Sequence, residues 1–103
     1  MIDIRANRLG DDKSEQPRFP TGEIVITRNA AERLADKDVQ TALRRHVQAD
    51  WGAVCEEDRQ ANDHAMENSH RILSVYVAQN QTKFWIITEA DRSVTSVLLP
   101  EDY

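Results

Sequence analysis

Six side chains carry the types that metal-independent RNA cleavage would use: Glu89, Arg92, Arg71, Lys83, Tyr76 and His46, with His70 as a second imidazole. That reaction needs a base, an acid and cations against the phosphate. Another reading competes at each position. Glu89, Asp91 and Arg92 crowd the end of a hairpin, where charged groups solubilise a turn and blunt a sheet edge. His46 falls on the apolar side of a helical pattern, where a lone histidine is more often packed than catalytic. Metal chemistry has less to draw on. Cys55 and His64 are nine residues apart beside Glu57 and Asp58, which is no established ligand spacing. Cys55 has no nucleophile signature around it, and the three glycines are isolated rather than gathered in a phosphate loop. Neither a metal nor a cofactor is expected, and no catalytic set is favoured.

Charge points elsewhere. The chain has 103 residues and a net charge of −5. Between Asp50 and Glu67 lie Asp50, Glu56, Glu57, Asp58, Asp63 and Glu67 against the single base Arg59, and outside that segment acids and bases cancel. An acidic balance argues against a general nucleic-acid binder, which needs a basic stripe to displace counterions. The same concentration of acid suits a docking surface for a basic protein, because complementary patches steer association. No apolar run approaches the roughly 20 residues of a membrane helix. The first ten residues lack the apolar core of a secretory signal. A single cysteine builds no disulfide framework. A cytoplasmic setting is therefore expected.

These groups need a scaffold, and the patterning supplies one. Residues 1–21 are polar and irregular, and read as a flexible or loosely packed arm, within which Ile2 and Ile4 alternate as a weak edge strand. Residues 22–103 form a single domain. Gly22–Thr27 (GEIVIT) reads as a strand. Asn29 stands three residues before Glu32, the spacing of a capping box, and opens a short helix through Leu34. Val39, Ala42, Leu43, His46 and Val47 recur on one helical face, with Asp36 or Asp38 to cap its start and Gly52 to follow its end. A third helix spans about Val54 to Met66, with a thin stripe of Val54, Ala61 and Ala65. The period then changes. Arg71–Ala78, Lys83–Glu89 and Val94–Leu99 are three β-rich runs whose short turns allow only antiparallel neighbours. The order β-α-α-α-β-β-β predicts an α+β fold, helices followed by an antiparallel meander, with one sheet covered by a helical layer.

Side-chain facing follows from alternation. Leu73, Val75 and Val77 are expected on the core face of the first meander strand, and Phe84 and Ile86 on that of the second. The opposite, mixed face would then carry Tyr76 and Trp85. Trp51 before Gly52 is expected to anchor the core, its indole N–H accepted by Asp50, Glu57 or a backbone carbonyl.

Several spaced motifs agree with a known pattern: Arg45-His46, Asp50-Trp51-Gly52, Glu57-Asp58 with Asn62, the strand RILSVY, WIITEADRS with Thr95, and the ending LLPEDY. Over about residues 22–103 the chain resembles a family of small plasmid-related proteins carried by mobile elements. Ser69-His70 and Gln79-Asn80-Gln81 stand where that family often has glycine. The resemblance implies a mobile-element setting and no particular reaction. In shape alone, helices followed by a meander are similar to barnase and RelE-like ribonucleases.

The favoured expectation is a protein-binding module that inhibits or modulates a host or defence protein without catalysis, in the manner of anti-CRISPR or antirestriction proteins. Its contact residues would be Glu56, Glu57, Asp58 and Asp63 on the acidic helix, with Trp85 and Tyr76 as aromatic anchors. Self-association through the open sheet face is a second route to partnership. A ribonuclease using the meander face is the alternative.

Overall fold

The computed structural model of the chain describes residues 2–3 and 16–103. The elements are β1 (Ile2–Asp3), β2 (Glu23–Ile26), α1 (Arg28–Arg33), α2 (Asp36–Val47), α3 (Glu56–Asn68), β3 (Ile72–Val77), β4 (Lys83–Thr88) and β5 (Val94–Leu98), with a closing 3-10 turn at Pro100–Asp102. The strands form one sheet in the order β1-β2-β5-β4-β3. The meander β3-β4-β5 is antiparallel as expected. The sheet as a whole is not. β2 runs parallel beside β5, pairing Ile24 with Thr95 and Ile26 with Val97. Parallel neighbours need a long crossover, and the three helices together with β3 and β4 provide it. Ile2 and Asp3 add a short antiparallel pairing outside β2, while Ile4 lies outside the described residues.

The segment from Gln16 to Thr21 is tied down. Arg18 donates its backbone N–H to the Val47 carbonyl, and Phe19 is buried with Trp51, Ala65 and Ile72. A larger core joins Ile24, Ile26, Ala30, Leu34, Val39, Ala42, Leu43, Tyr76, Phe84, Ile86, Val97 and Leu99. All of its strand residues face the helices.

Helix ends depart from the expected capping. Thr27, not Asn29, caps α1, its hydroxyl accepting from the Ala30 N–H. Asn29 instead donates to the Asp102 carboxylate, which also accepts from the Thr27 hydroxyl, so the C-terminal turn is clasped to the start of α1. Ala35 stands at the N-cap of α2 and gives it no side-chain cap, and Asp38 accepts from the Gln79 N–H across the molecule. α2 ends at Val47, and Ala49 rather than Gly52 takes the left-handed conformation after it.

Gly52 serves another purpose. Val75 donates to the Trp51 carbonyl and Ala53 donates to the Val75 carbonyl, so residues 51–53 run alongside the outer edge of β3. A Cβ at Gly52 would stand 2.0 Å from the Val75 oxygen, and its φ of 77° is left-handed. Glycine is required there on both counts. Two residues earlier on the same edge, the Asn62 side chain donates to the Leu73 carbonyl and accepts from the Leu73 N–H. An exposed strand edge invites pairing with another chain; here the backbone groups of Leu73 and Val75 are already occupied.

Candidate functional site

Beneath the helices, His46 on α2 meets the sheet. Its ring is fully buried, as are Ser74, Thr88 and Thr95, which come from three adjacent strands. Nδ1 lies 2.6 Å from the Ser74 hydroxyl, Nε2 lies 2.9 Å from the Thr88 hydroxyl, and Thr88 lies 2.7 Å from Thr95. Thr95 donates to the Thr21 carbonyl at 2.8 Å. Each hydroxyl has one proton, so the direction of the whole chain follows from that carbonyl. Thr95 spends its proton on Thr21 and must accept from Thr88. Thr88 must then accept from His46 Nε2–H, and Nδ1 accepts from Ser74. The ring is the neutral Nε2–H tautomer. Burial, followed by the positive charge of Arg92, holds its pKa at about 3. Phe19 and Trp51 close over it edge-on, with ring centroids at 5.3 and 5.8 Å. His46 is therefore a satisfied core residue, and near neutral pH it is not the imidazolium that a general acid would need.

The other groups drawn for catalysis are scattered. Tyr76 is buried on the helix side, donating its hydroxyl to the Asp50 carbonyl, and burial pushes its phenol well above the usual range. Arg92 lies over the Phe19 ring and donates to the carbonyls of Ala65, His70 and Glu89, so its guanidinium closes the end of α3 and the hairpin. Lys83 and Glu89 stand at opposite ends of the β4 row, about 20 Å apart at ~3.3 Å per residue. Arg71 and Glu89 meet through their side chains, at 3.4 Å. Arg71 also donates to the Tyr103 hydroxyl at 2.6 Å, and this bond and the Glu89 carboxylate hold its pKa above the ordinary value.

No family model, curated protein or solved structure matches the chain. Function has to be read from surfaces.

The acidic helix divides in two. Asp63 belongs to the scaffold: it accepts from the Trp51 indole N–H at 2.9 Å and pairs with Arg59 at 3.2 Å. Neither Asp50 nor Glu57 plays that part. Asp50 forms a two-pronged bond with Arg45, at 2.8 and 3.2 Å, which lowers its carboxyl pKa. Beside this pair lies an open cleft of about 360 Å³ lined by Thr41, Arg44, Arg45, Gln48 and Asp50. Glu56 pairs with Arg59 and accepts from Gln60, and both bonds lower its pKa. Glu57 and Asp58 are exposed, and none of their carboxylate oxygens meets a donor among the described residues. Their place in the first turn of α3 suits the partial positive charge of a helix start. Cys55 before them is exposed and makes no capping bond. Among the described residues no three His, Cys, Asp or Glu side chains come together to hold a metal ion, and no helix is long and apolar enough to cross a membrane.

The sheet has a second face. Leu73, Val75 and Val77 point away from the helices, the reverse of the facing expected from the sequence, because Ile72, Ser74 and Tyr76 take the core side. Trp85 projects with them, half-buried, its ring edge against Tyr103 at 5.6 Å. Tyr76 is thus not an exposed anchor, whereas Trp85 is accessible. The residues that the sequence reading missed are Ser74, Thr88, Thr21 and Phe19. Their one available signal was small hydroxyl residues breaking apolar runs at positions that could face His46.

Proposed function

We propose that the chain is a small acidic protein-binding module of a mobile element, acting by occupying a host or defence protein rather than by catalysis of its own. The single observation behind this is the division of the acidic helix: Asp63 and Glu56 are engaged within the fold, while Glu57 and Asp58 stand exposed with no partner among the described residues. Unpaired carboxylates at the start of α3, in the segment that carries the net charge, suit a basic surface on a partner. The dispersal of the groups drawn for RNA cleavage supports the same reading, because His46 is neutral and enclosed, Arg92 is bound to carbonyls, and His70 stacks on His64 of α3. Anti-CRISPR and antirestriction proteins are the model for such an activity.

The test is capture of a partner from host lysate by the immobilised chain, beside Glu57→Lys/Asp58→Lys. A protein retained by the parent at low salt and lost both with the variant and with added salt is expected. Retention unchanged by the charge reversal overturns the reading.

A further inference from the structure

We infer that the open cleft along the outer stripe of α2 binds a small molecule through an oxyanion group, a carboxylate or a phosphate, received by Arg45 with Arg44, Gln48 and Thr41 around it. This does not rest on the acidic-helix reading, and none of its residues lies on α3.

The helical period gathers the donors. Thr41, Arg44, Arg45 and Gln48 are spaced i, i+3, i+4 and i+7, which is one stripe of a helix. The core takes the other side of α2, with Val39, Ala42, Leu43, His46 and Val47. Together with Asp50 the stripe lines a cleft of about 360 Å³, within the roughly 300–1,000 Å³ of small-molecule sites. Four of the five lining side chains carry N–H or O–H donors. The fifth, Asp50, is an acceptor, and its carboxylate is already occupied by Arg45 through both oxygens and by the Gly52 N–H. Two guanidinium groups less one carboxylate give the lining a net charge of +1, in a chain whose net charge is −5. Donors and charge together select an anion.

Arg45 is prepared to receive one. Asp50 holds its Nε and Nη2, and its guanidinium carbon lies 4.9 Å from the centre of the Tyr76 ring. Tyr76 is itself fixed, its hydroxyl donating to the Asp50 carbonyl. Three of the five guanidinium N–H groups are left without an acceptor among the described residues. The side chain is 45% exposed, so a dissolved ligand reaches it. A guanidinium already held in place offers its planar fork to a carboxylate or phosphate and loses less freedom on binding. The end of a helix ordinarily disfavours an anion, because its last carbonyls carry partial negative charge. Here those carbonyls are covered: Arg45 accepts from the Gln48 and Asp50 N–H groups, His46 from Ala49, and Val47 from Arg18. The Gln48 amide is steadied by a 2.6 Å bond to the Gln16 carbonyl and keeps a second N–H for a ligand.

NMR titration of the full chain reads the site through the Arg45 Nε–H and the Gln48 side-chain amide. Inorganic phosphate and acetate are added in separate series, with sodium chloride holding the ionic strength constant. Saturable shifts of both signals are expected by about 20 mM of at least one anion. The Arg59 Nε–H, engaged by Glu56 on α3, should stay still. Saturation by phosphate alone assigns a phosphate-bearing ligand, and saturation by acetate alone a carboxylate. Arg45→Lys keeps the charge but loses the fork, while Arg44→Gln leaves the Arg45–Asp50 pair in place. Each should weaken binding about fivefold or more, read at the Gln48 amide. No saturable shift with either anion overturns the inference. So do equal shifts at Arg59, or either variant binding as tightly as the parent.

Discussion

Beneath the helices the sheet hides Ser74, Thr88 and Thr95 and gives every one of their hydroxyls a partner; on its other side it leaves Val77 in solvent and Trp85 half covered. Three polar residues are thus buried among the apolar core side chains, while Val77 lies outside, two local departures from the usual distribution. The inner face accepts polarity because His46 arrives from α2 at bonding distance from two strands, which completes a chain ending on the Thr21 carbonyl. A buried hydroxyl with a partner costs little, while an orphaned one costs about 1–3 kcal/mol, and among the described residues no buried side-chain N or O atom is left without a bond. The outer face has no such network: Ile87 and Leu98 are covered there, Trp85 packs against Tyr103, and Val77 stands in solvent. The helix-facing side of the sheet holds the polar network, and the other side carries none.

Two tryptophans put the contrast to its largest test. Trp51 is 2% exposed, packed on Phe19 and His46 and bonded to Asp63. Trp51→Ala leaves a cavity and takes one of the two donors from Asp63, and should cost about 3–5 kcal/mol. Trp85→Ala, made on the open face, should cost about 1 kcal/mol. Denaturant midpoints at constant slope compare the two. Equal losses would mean that both faces are core, and the distinction between them would collapse.

How much of this was legible beforehand depended on which principle decided each element. The β-α-α-α-β-β-β order, the apolar face of α2 and the antiparallel meander follow from periodicity and turn length, both local properties. The parallel pairing of β2 with β5 does not, since nothing in Glu23–Ile26 records which strand it will lie against. The facing of β3 failed for a related reason. Leu73, Val75 and Val77 are the more apolar set by type, so alternation alone assigned them to the core. Ser74 goes inside only because His46, 28 residues away, supplies its bond. Trp51 was identifiable as core from its place beside Gly52, but its acceptor was not, because Asp63 reaches it only once α3 has folded back. Of the proposed contact residues, Glu57, Asp58 and Trp85 are accessible in the structure, while Asp63 and Tyr76 are committed to the scaffold.

Acid should loosen the inner face specifically. In the folded chain the pKa of His46 is lowered to about 3 from an ordinary value of 6.5, so between those values the unfolded chain binds a proton that the folded chain refuses. Stability must therefore fall as pH falls, at up to about 1.4 kcal/mol per pH unit. Between about pH 6.5 and pH 4.5 the loss should reach about 2 kcal/mol. Asp50, whose pKa is held below its ordinary 3.8 by Arg45, changes charge beneath that window and does not contribute within it. Urea unfolding across the range, beside His46→Gln, separates the cause: the variant is less stable throughout but should lack this slope. A parent whose stability is flat over the window would mean that water or a carboxylate reaches the ring, and the inner face would not be sealed.

The smallest effect tests the surface reading from the other direction. Glu57 sits in the first turn of α3, exposed and with no bonded donor among the described residues. What Glu57→Gln removes from the fold is the attraction of one carboxylate for the start of a helix, which is weak at an exposed position and screened by salt. The cost should be under about 0.5 kcal/mol, the range of surface substitutions away from any specific contact. A loss of about 1–3 kcal/mol would instead show a buried bond to this carboxylate. In that case Glu57 would join Asp63 as part of the scaffold, and Asp58 would be left as the one free acid of the turn. Denaturation of the single variant at low and at moderate salt decides between these outcomes, because the helix-start contribution shrinks with salt whereas a buried bond persists.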